Sequence, residues 1–124
     1  MWLGVGPGNF GQAAYLEDPH NFPNAMAIVN NEPIELLTET GVLGLAAFGL
    51  FVVSLGRLYW LRLRGGDLSS ELGVWLLALG GTLLAIAVQY QTFSTLYITH
   101  IWVAIGLLVG VMGAMKLGGA KAKR

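Results

Sequence analysis

The sequence predicts an all-α integral membrane protein: three transmembrane helices preceded by a Gly/Pro-rich extracytoplasmic loop that holds one short helix. Three observations predict it. Of the 124 residues, 55% are hydrophobic and only 11% are charged, with a mean hydropathy of +0.64. A soluble domain carries about 25% charged residues, so the composition belongs to the membrane class. The apolar residues gather into three runs, each long enough to cross about 30 Å of hydrocarbon. The charges are also segregated. All seven basic residues (Arg57, Arg62, Arg64, Lys116, Lys121, Lys123 and Arg124) follow residue 56, and five of the seven acids (Glu17, Asp18, Glu32, Glu35 and Glu39) precede it.

Residues 1–33 contain all four prolines and Gly4, Gly6, Gly8 and Gly11. Such density interrupts regular structure, so this segment reads as a water-exposed loop with one short helix at about residues 24–29. Its Gly6-Pro7-Gly8-Asn9-Phe10-Gly11 matches G-x-G-x-x-G. A dinucleotide site needs a strand before that motif, a helix after it and a distal acid. The expectation is instead a tight turn anchored by Phe10. Asn31 or Asn30 caps the next helix. Pro33 falls in its first turn, where a missing N–H costs nothing, and Glu32 and Glu35 sit near the positive end of the dipole.

The first span is expected at about residues 34–60, closed by Arg57, Arg62 and Arg64 with Tyr59 and Trp60 at the interface. A Gly65-Gly66-Asp67 turn follows, with Ser69 or Ser70 as cap, then spans at about 71–91 and 96–115. The polar run of Gln89, Tyr90, Gln91, Thr92, Ser94 and Thr95 separates the last two. The two basic clusters flank a pair of spans, so they share a face, and the positive-inside rule puts that face in the cytoplasm. Residues 1–33 then form an extracytoplasmic segment, residues 34–117 the three-span region and residues 118–124 a basic cytoplasmic tail. Gly106 and Gly110 form a G-x-x-x-G pair, a spacing that lets helices pack closely in lipid.

Met1-Trp2-Leu3 is followed at once by glycines, with no basic or apolar signal-peptide region. A chain that places residues 1–33 outside a membrane without an export signal is expected to be the C-terminal piece of a longer protein. With no cysteine there is no disulfide framework and no thiolate metal site. The two histidines, His20 and His100, lie eighty residues apart, and scattered acids beside them give no metal-ligand spacing. Neither a cofactor nor a nucleic-acid partner is implied.

Glu35 and Glu39 are four residues apart and share one helix face. A carboxylate at the depth of Glu39 must face protein or a water-filled cavity. It serves either as a general base toward a substrate hydroxyl or as a structural partner for a neighbouring helix. For Glu35 the alternatives are substrate binding and a capping role. His20, in the loop beside Asn21, is a residue type that serves as a general base near neutral pH, although a lone loop histidine is more often plain surface. His100 reads as an interface anchor. A diphosphate site needs Arg or Lys, and the outer half of this chain has neither.

GVGPGNF at residues 4–10, NNEPIELLTETGVLGL at 30–45, the long apolar helix after it and FSTLYITHIW at 93–102 resemble the C-terminal part of the O-antigen ligase/polymerase superfamily. The unit formed by Glu39, Gly41 and Gly44 is the most specific piece of the resemblance, and the glycine-rich turn is second. The likeness covers nearly the whole chain but only the end of the family's protein. It implies a bacterial cytoplasmic (inner) membrane glycosyltransferase. Such an enzyme transfers a glycan from an undecaprenyl-diphosphate carrier to a sugar acceptor on the outer face, without a metal. Arginines on helices and loops absent from this chain would hold the diphosphate.

A family histidine, as His-Asn, precedes the Glu-x-Gly unit by about nine residues and is implied to assist the acceptor. That position holds Asn30, followed by Asn31, and the His-Asn pair of this chain, His20-Asn21, comes ten residues earlier. Either His20 reaches the site by another loop path or this branch works without the histidine. The residues carried forward are Glu39 and His20 as catalytic candidates and Asn30, Asn31 and Glu35 as substrate-binding ones. Two readings from other classes stand beside this one. The first is a non-enzymatic accessory subunit packing through Gly106 and Gly110; the second is a transporter piece with Glu39 as coupling carboxylate.

Overall fold

The computed structural model describes residues 2–23, 27, 29–92 and 98–115. Among them the secondary structure is all helical: α1 (Phe10–Glu17), α2 (Glu32–Gly65), α3 (Glu71–Gln89) and α4 (Thr99–Ala114). Two of these, α2 and α3, are long and apolar enough to cross a membrane. At 1.5 Å per residue α3 is about 28 Å long and α4 about 24 Å. α4 is thus shorter than the span expected at residues 96–115, of which residues 96 and 97 lie outside the described set. The helix expected at residues 24–29 also falls mostly outside it.

The chain divides into two compact units, Met1–Phe51 with Val88–Leu96, and Val52–Ala87 with Tyr97–Arg124. In the first, α1 is a correction to the reading of residues 1–33 as loop before residue 24. Its eight residues, FGQAAYLE, lie between Pro7 and Pro19 and include Ala13, Ala14 and Leu16, all good helix formers. A helix therefore does follow the G-x-G-x-x-G turn. Phe10 anchors that turn as expected, meeting Phe22 edge to face with ring centroids 6.5 Å apart.

Asn31 is the cap of α2: its Oδ1 accepts from the Ile34 N–H at 3.1 Å. Its Nδ2 donates to the Gln91 carbonyl at 3.2 Å, and the Glu32 N–H donates to the Tyr90 carbonyl at 2.9 Å. The start of α2 is therefore tied to the turn that ends α3. The second correction is that α2 is not one continuous helix. Gly41, at φ 72° and ψ −172°, breaks it.

The second unit has its own core. Leu76, Leu108, Met112 and Met115 are buried, with Leu55, Tyr59, Leu63, Leu79, Leu83 and Val111 packed against them. Each helix supplies a stripe at helical spacing, such as Leu55, Tyr59 and Leu63 on α2. Ser70 caps α3, its Oγ accepting from the Gly73 N–H at 3.1 Å. Around this core many of the outward side chains are apolar: Val53 and Leu84 are 69% and 68% exposed. A water-soluble helix turns polar side chains outward, so this surface suits lipid.

Candidate functional site

The site is built around the break at Gly41. Ending a helix leaves its last carbonyls without N–H partners, and such groups must be satisfied when buried. The N-terminal turn supplies the donors. The Val5 N–H donates to the Thr38 carbonyl at 3.0 Å and the Gly6 N–H to the Glu39 carbonyl at 2.8 Å. For the two backbones to come this close, neither can carry a side chain at the crossing. A Cβ on Gly4 would run into the backbone of Glu39 and Thr40, and one on Gly41 into the backbone of Trp2 and Gly4. Gly44, the last residue of the Glu-x-Gly-x-x-Gly unit, leaves room for the Thr40 side chain. Thr40 Oγ1 in turn donates to the Leu36 carbonyl.

Three carboxylates lie on the covered face of the same stretch. Glu32, Glu35 and Glu39 are 2%, 7% and 3% exposed, and each is engaged by an interacting group. Their spacing of three and four residues places them along one side of the helix. Burying polar carboxyl groups is costly unless they are partnered, and each of the three has an interacting group. Glu32 was readable in the sequence only as a helix-dipole residue. Spacing puts it on the side of Glu35 and Glu39, but its burial to 2% exposure is seen only in the structure.

The remaining candidates lie elsewhere in this unit. Asn30 is exposed. Asn31, half-buried, is committed to the cap and to Gln91. His20 is exposed in the turn after α1. Its neighbour Asn21 is bonded to Asp18, through Nδ2 at 2.7 Å and through its backbone N–H at 3.2 Å. The side-chain bond from Asn21 foremost, and then its backbone N–H, hold the Asp18 carboxyl below its ordinary 3.8.

A cleft of about 560 Å³ opens beside the N-terminal turn, lined by Val5, Phe10, Ala13, Ala14, Glu17, Asp18, Phe22 and Thr38. Neither His20 nor Glu39 lines it. Its side-chain polar groups are acceptors: two carboxylates, and a Thr38 hydroxyl whose proton goes to the Glu35 carbonyl at 2.8 Å. No Lys or Arg occurs anywhere in this unit's sequence, so it suits hydroxyl or amine donors and not phosphate. Among the described residues no three His, Cys, Asp or Glu side chains are grouped to hold a metal ion.

No family model, no curated protein and no solved structure matches the chain.

Proposed function

We propose that this chain is the C-terminal part of an O-antigen-ligase-like membrane glycosyltransferase, acting on the outer face of a bacterial inner membrane. One observation carries the reading. The two segments that hold the resemblance, the glycine-rich turn at residues 4–10 and the unit of Glu39, Gly41 and Gly44, are bonded backbone to backbone. Motif pieces thirty residues apart thus form one object, with a buried carboxylate at its centre.

In this reading the acceptor hydroxyl attacks the anomeric carbon of the carrier-linked sugar. The carbon–oxygen bond to the diphosphate breaks, a bond to the acceptor oxygen forms with inversion, and Glu39 takes the hydroxyl proton. Because Glu39 is 3% exposed, an acceptor must displace part of its cover to reach it. Cations for the leaving diphosphate come from parts of the parent protein outside these residues, since the first unit has none. A third span at residues 96–115 and a cytoplasmic C-terminus complete the topology, following the positive-inside rule. Asn30, Asn31, Glu35 and His20 belong to the acceptor side, with Asn31 acting by fixing the helix start.

The test is transfer from an undecaprenyl-diphosphate glycan in membranes carrying the full parent product, with Glu39→Gln and Asn30→Ala variants. Loss of turnover in the first, with no more than a weakened acceptor affinity in the second, supports the reading. Turnover by the 124-residue chain alone removes it.

A second reading, an accessory subunit without catalysis, has its own observation. On α4 the Cβ directions of Gly106, Gly110 and Gly113 meet no other atom among the described residues, a small-residue face of the kind that packs against another helix. Cysteine cross-linking along these three positions to a separate membrane protein, with no transfer activity in the parent, favours it.

A further inference from the structure

We propose that the face of α2 formed by Arg57, Trp60 and Arg64 is a binding surface for the phosphate headgroup of an anionic phospholipid. The inference needs only that α2 enters a membrane and is independent of glycan transfer. The helix rotates 100° per residue. Leu55, Tyr59 and Leu63 mark the side turned to the core, whereas Arg57, Trp60 and Arg64 fall within about 60° of one another on a face centred roughly 130° away. All three are exposed, Trp60 by 52%.

Two guanidinium groups one helical turn to either side of an indole make a built arrangement. The Arg64 guanidinium carbon lies 4.4 Å from the centroid of the Trp60 ring, which fixes one of the long side chains. Indole rings also settle at the headgroup level of a bilayer. Guanidinium groups match phosphate oxygens bidentately, and no acid occurs between Glu39 and Asp67 to compete for them. The Asp67 carboxylate is itself taken up by the Ser69 N–H and hydroxyl.

Arg62 shows the contrast. It points toward the core side and its Nη1 donates to the Met115 carbonyl at 2.6 Å. It closes the end of α4 and takes no part in the surface. The charge of three arginines is therefore divided: one is structural and two are presented outward around an aromatic.

The experiment uses the whole chain in neutral detergent. It is titrated with equimolar phosphatidylglycerol and phosphatidylcholine, and bound lipid is counted by native mass spectrometry. Phosphatidylglycerol is expected to be retained at least about fivefold over phosphatidylcholine, the factor for one basic residue at an anionic surface. Arg57→Gln with Arg64→Gln should bring that preference within about twofold, while Lys121→Gln with Lys123→Gln, the same loss of charge, should leave most of it. Arg62→Gln should lower the melting temperature and keep the lipid preference. Equal loss in the two double variants would overturn the proposal, because bulk charge would then explain the binding. Displacement of the lipid by millimolar inorganic phosphate would overturn it too, since the surface would then read a free anion and not a headgroup.

Discussion

Gly4 and Gly41 hold each other's backbone: a side chain on either one would enter the space of the other's segment. Gly41 has a second reason to be glycine, its φ of 72°. Replacing Gly41 with alanine adds the cost of a backbone region open essentially only to glycine, about 1–3 kcal/mol, to a collision with Trp2 and Gly4. Gly4→Ala carries the collision with Glu39 and Thr40, about 1–3 kcal/mol by overpacking. Both variants should melt earlier in detergent. Because they disturb one crossing, the double variant should lose clearly less than the sum. Additive losses would mean that the two glycines act separately.

Asn31 and Asn30 are neighbours with different duties. Asn31 caps α2 and bridges to Gln91, while Asn30 is exposed. Asn31→Ala should therefore cost about 0.5–2 kcal/mol, the range for a lost cap. Asn30→Ala should stay within about 0.5 kcal/mol, as surface changes do. Chemical unfolding of the two variants side by side checks this, and equal effects would count against Asn31 as the cap.

The turn after α1 has a pH dependence whose sign can be worked out. Asn21 holds Asp18 ionised, so the folded pKa lies below the ordinary 3.8. A lowered carboxyl pKa gives a contribution that is full above the unfolded pKa and is lost as pH falls through the folded one. The turn should keep its structure at pH 5 and loosen only below about pH 4. Asn21→Ala should move the Asp18 carboxyl up toward 3.8, read from its carbon resonance in an NMR titration. An unmoved midpoint would show that the bonds to Asn21 are not what lowers it.

Much of the α2 and α3 layout was legible because it is local: Asn31 and Ser70 cap from within four residues, and the apolar runs are of about membrane-spanning length. The break at Gly41 was not. A glycine inside a helical pattern costs only about 1 kcal/mol against alanine, so periodicity runs straight across it. What opens the helix there is the turn at Gly4, and nothing in the neighbourhood of Gly41 announces that partner. α1 escaped for another reason. Eight residues give barely two turns of periodicity, Asn9 makes no side-chain cap bond, and prolines on either side made the stretch look irregular. At the candidate site the spacing of Glu35 and Glu39 was readable, and the burial of Glu32 beside them was not, because it depends on contacts distant in sequence.

The three buried glutamates offer the sharpest functional comparison, since each can be changed to glutamine at nearly constant volume. Glu32 has its backbone N–H bonded to Tyr90, at the fixed start of the helix. Glu39 lies at the break, next to the motif glycines. A proton acceptor lost at the reacting hydroxyl typically costs about 10²–10⁴ in rate, whereas a buried structural carboxylate acts mainly through stability. On the proposed glycan-transfer reading, Glu39→Gln in the longer protein should lower kcat by at least about a hundredfold with little change in KM or melting temperature. Glu32→Gln should shift the melting temperature and leave kcat within a fewfold. The pH profile separates base from scaffold: a working carboxylate gives an acidic limb to kcat that disappears in Glu39→Gln. An acidic limb that survives the substitution, or a kcat loss that simply follows the fraction unfolded, would return Glu39 to the role of a structural partner at the break.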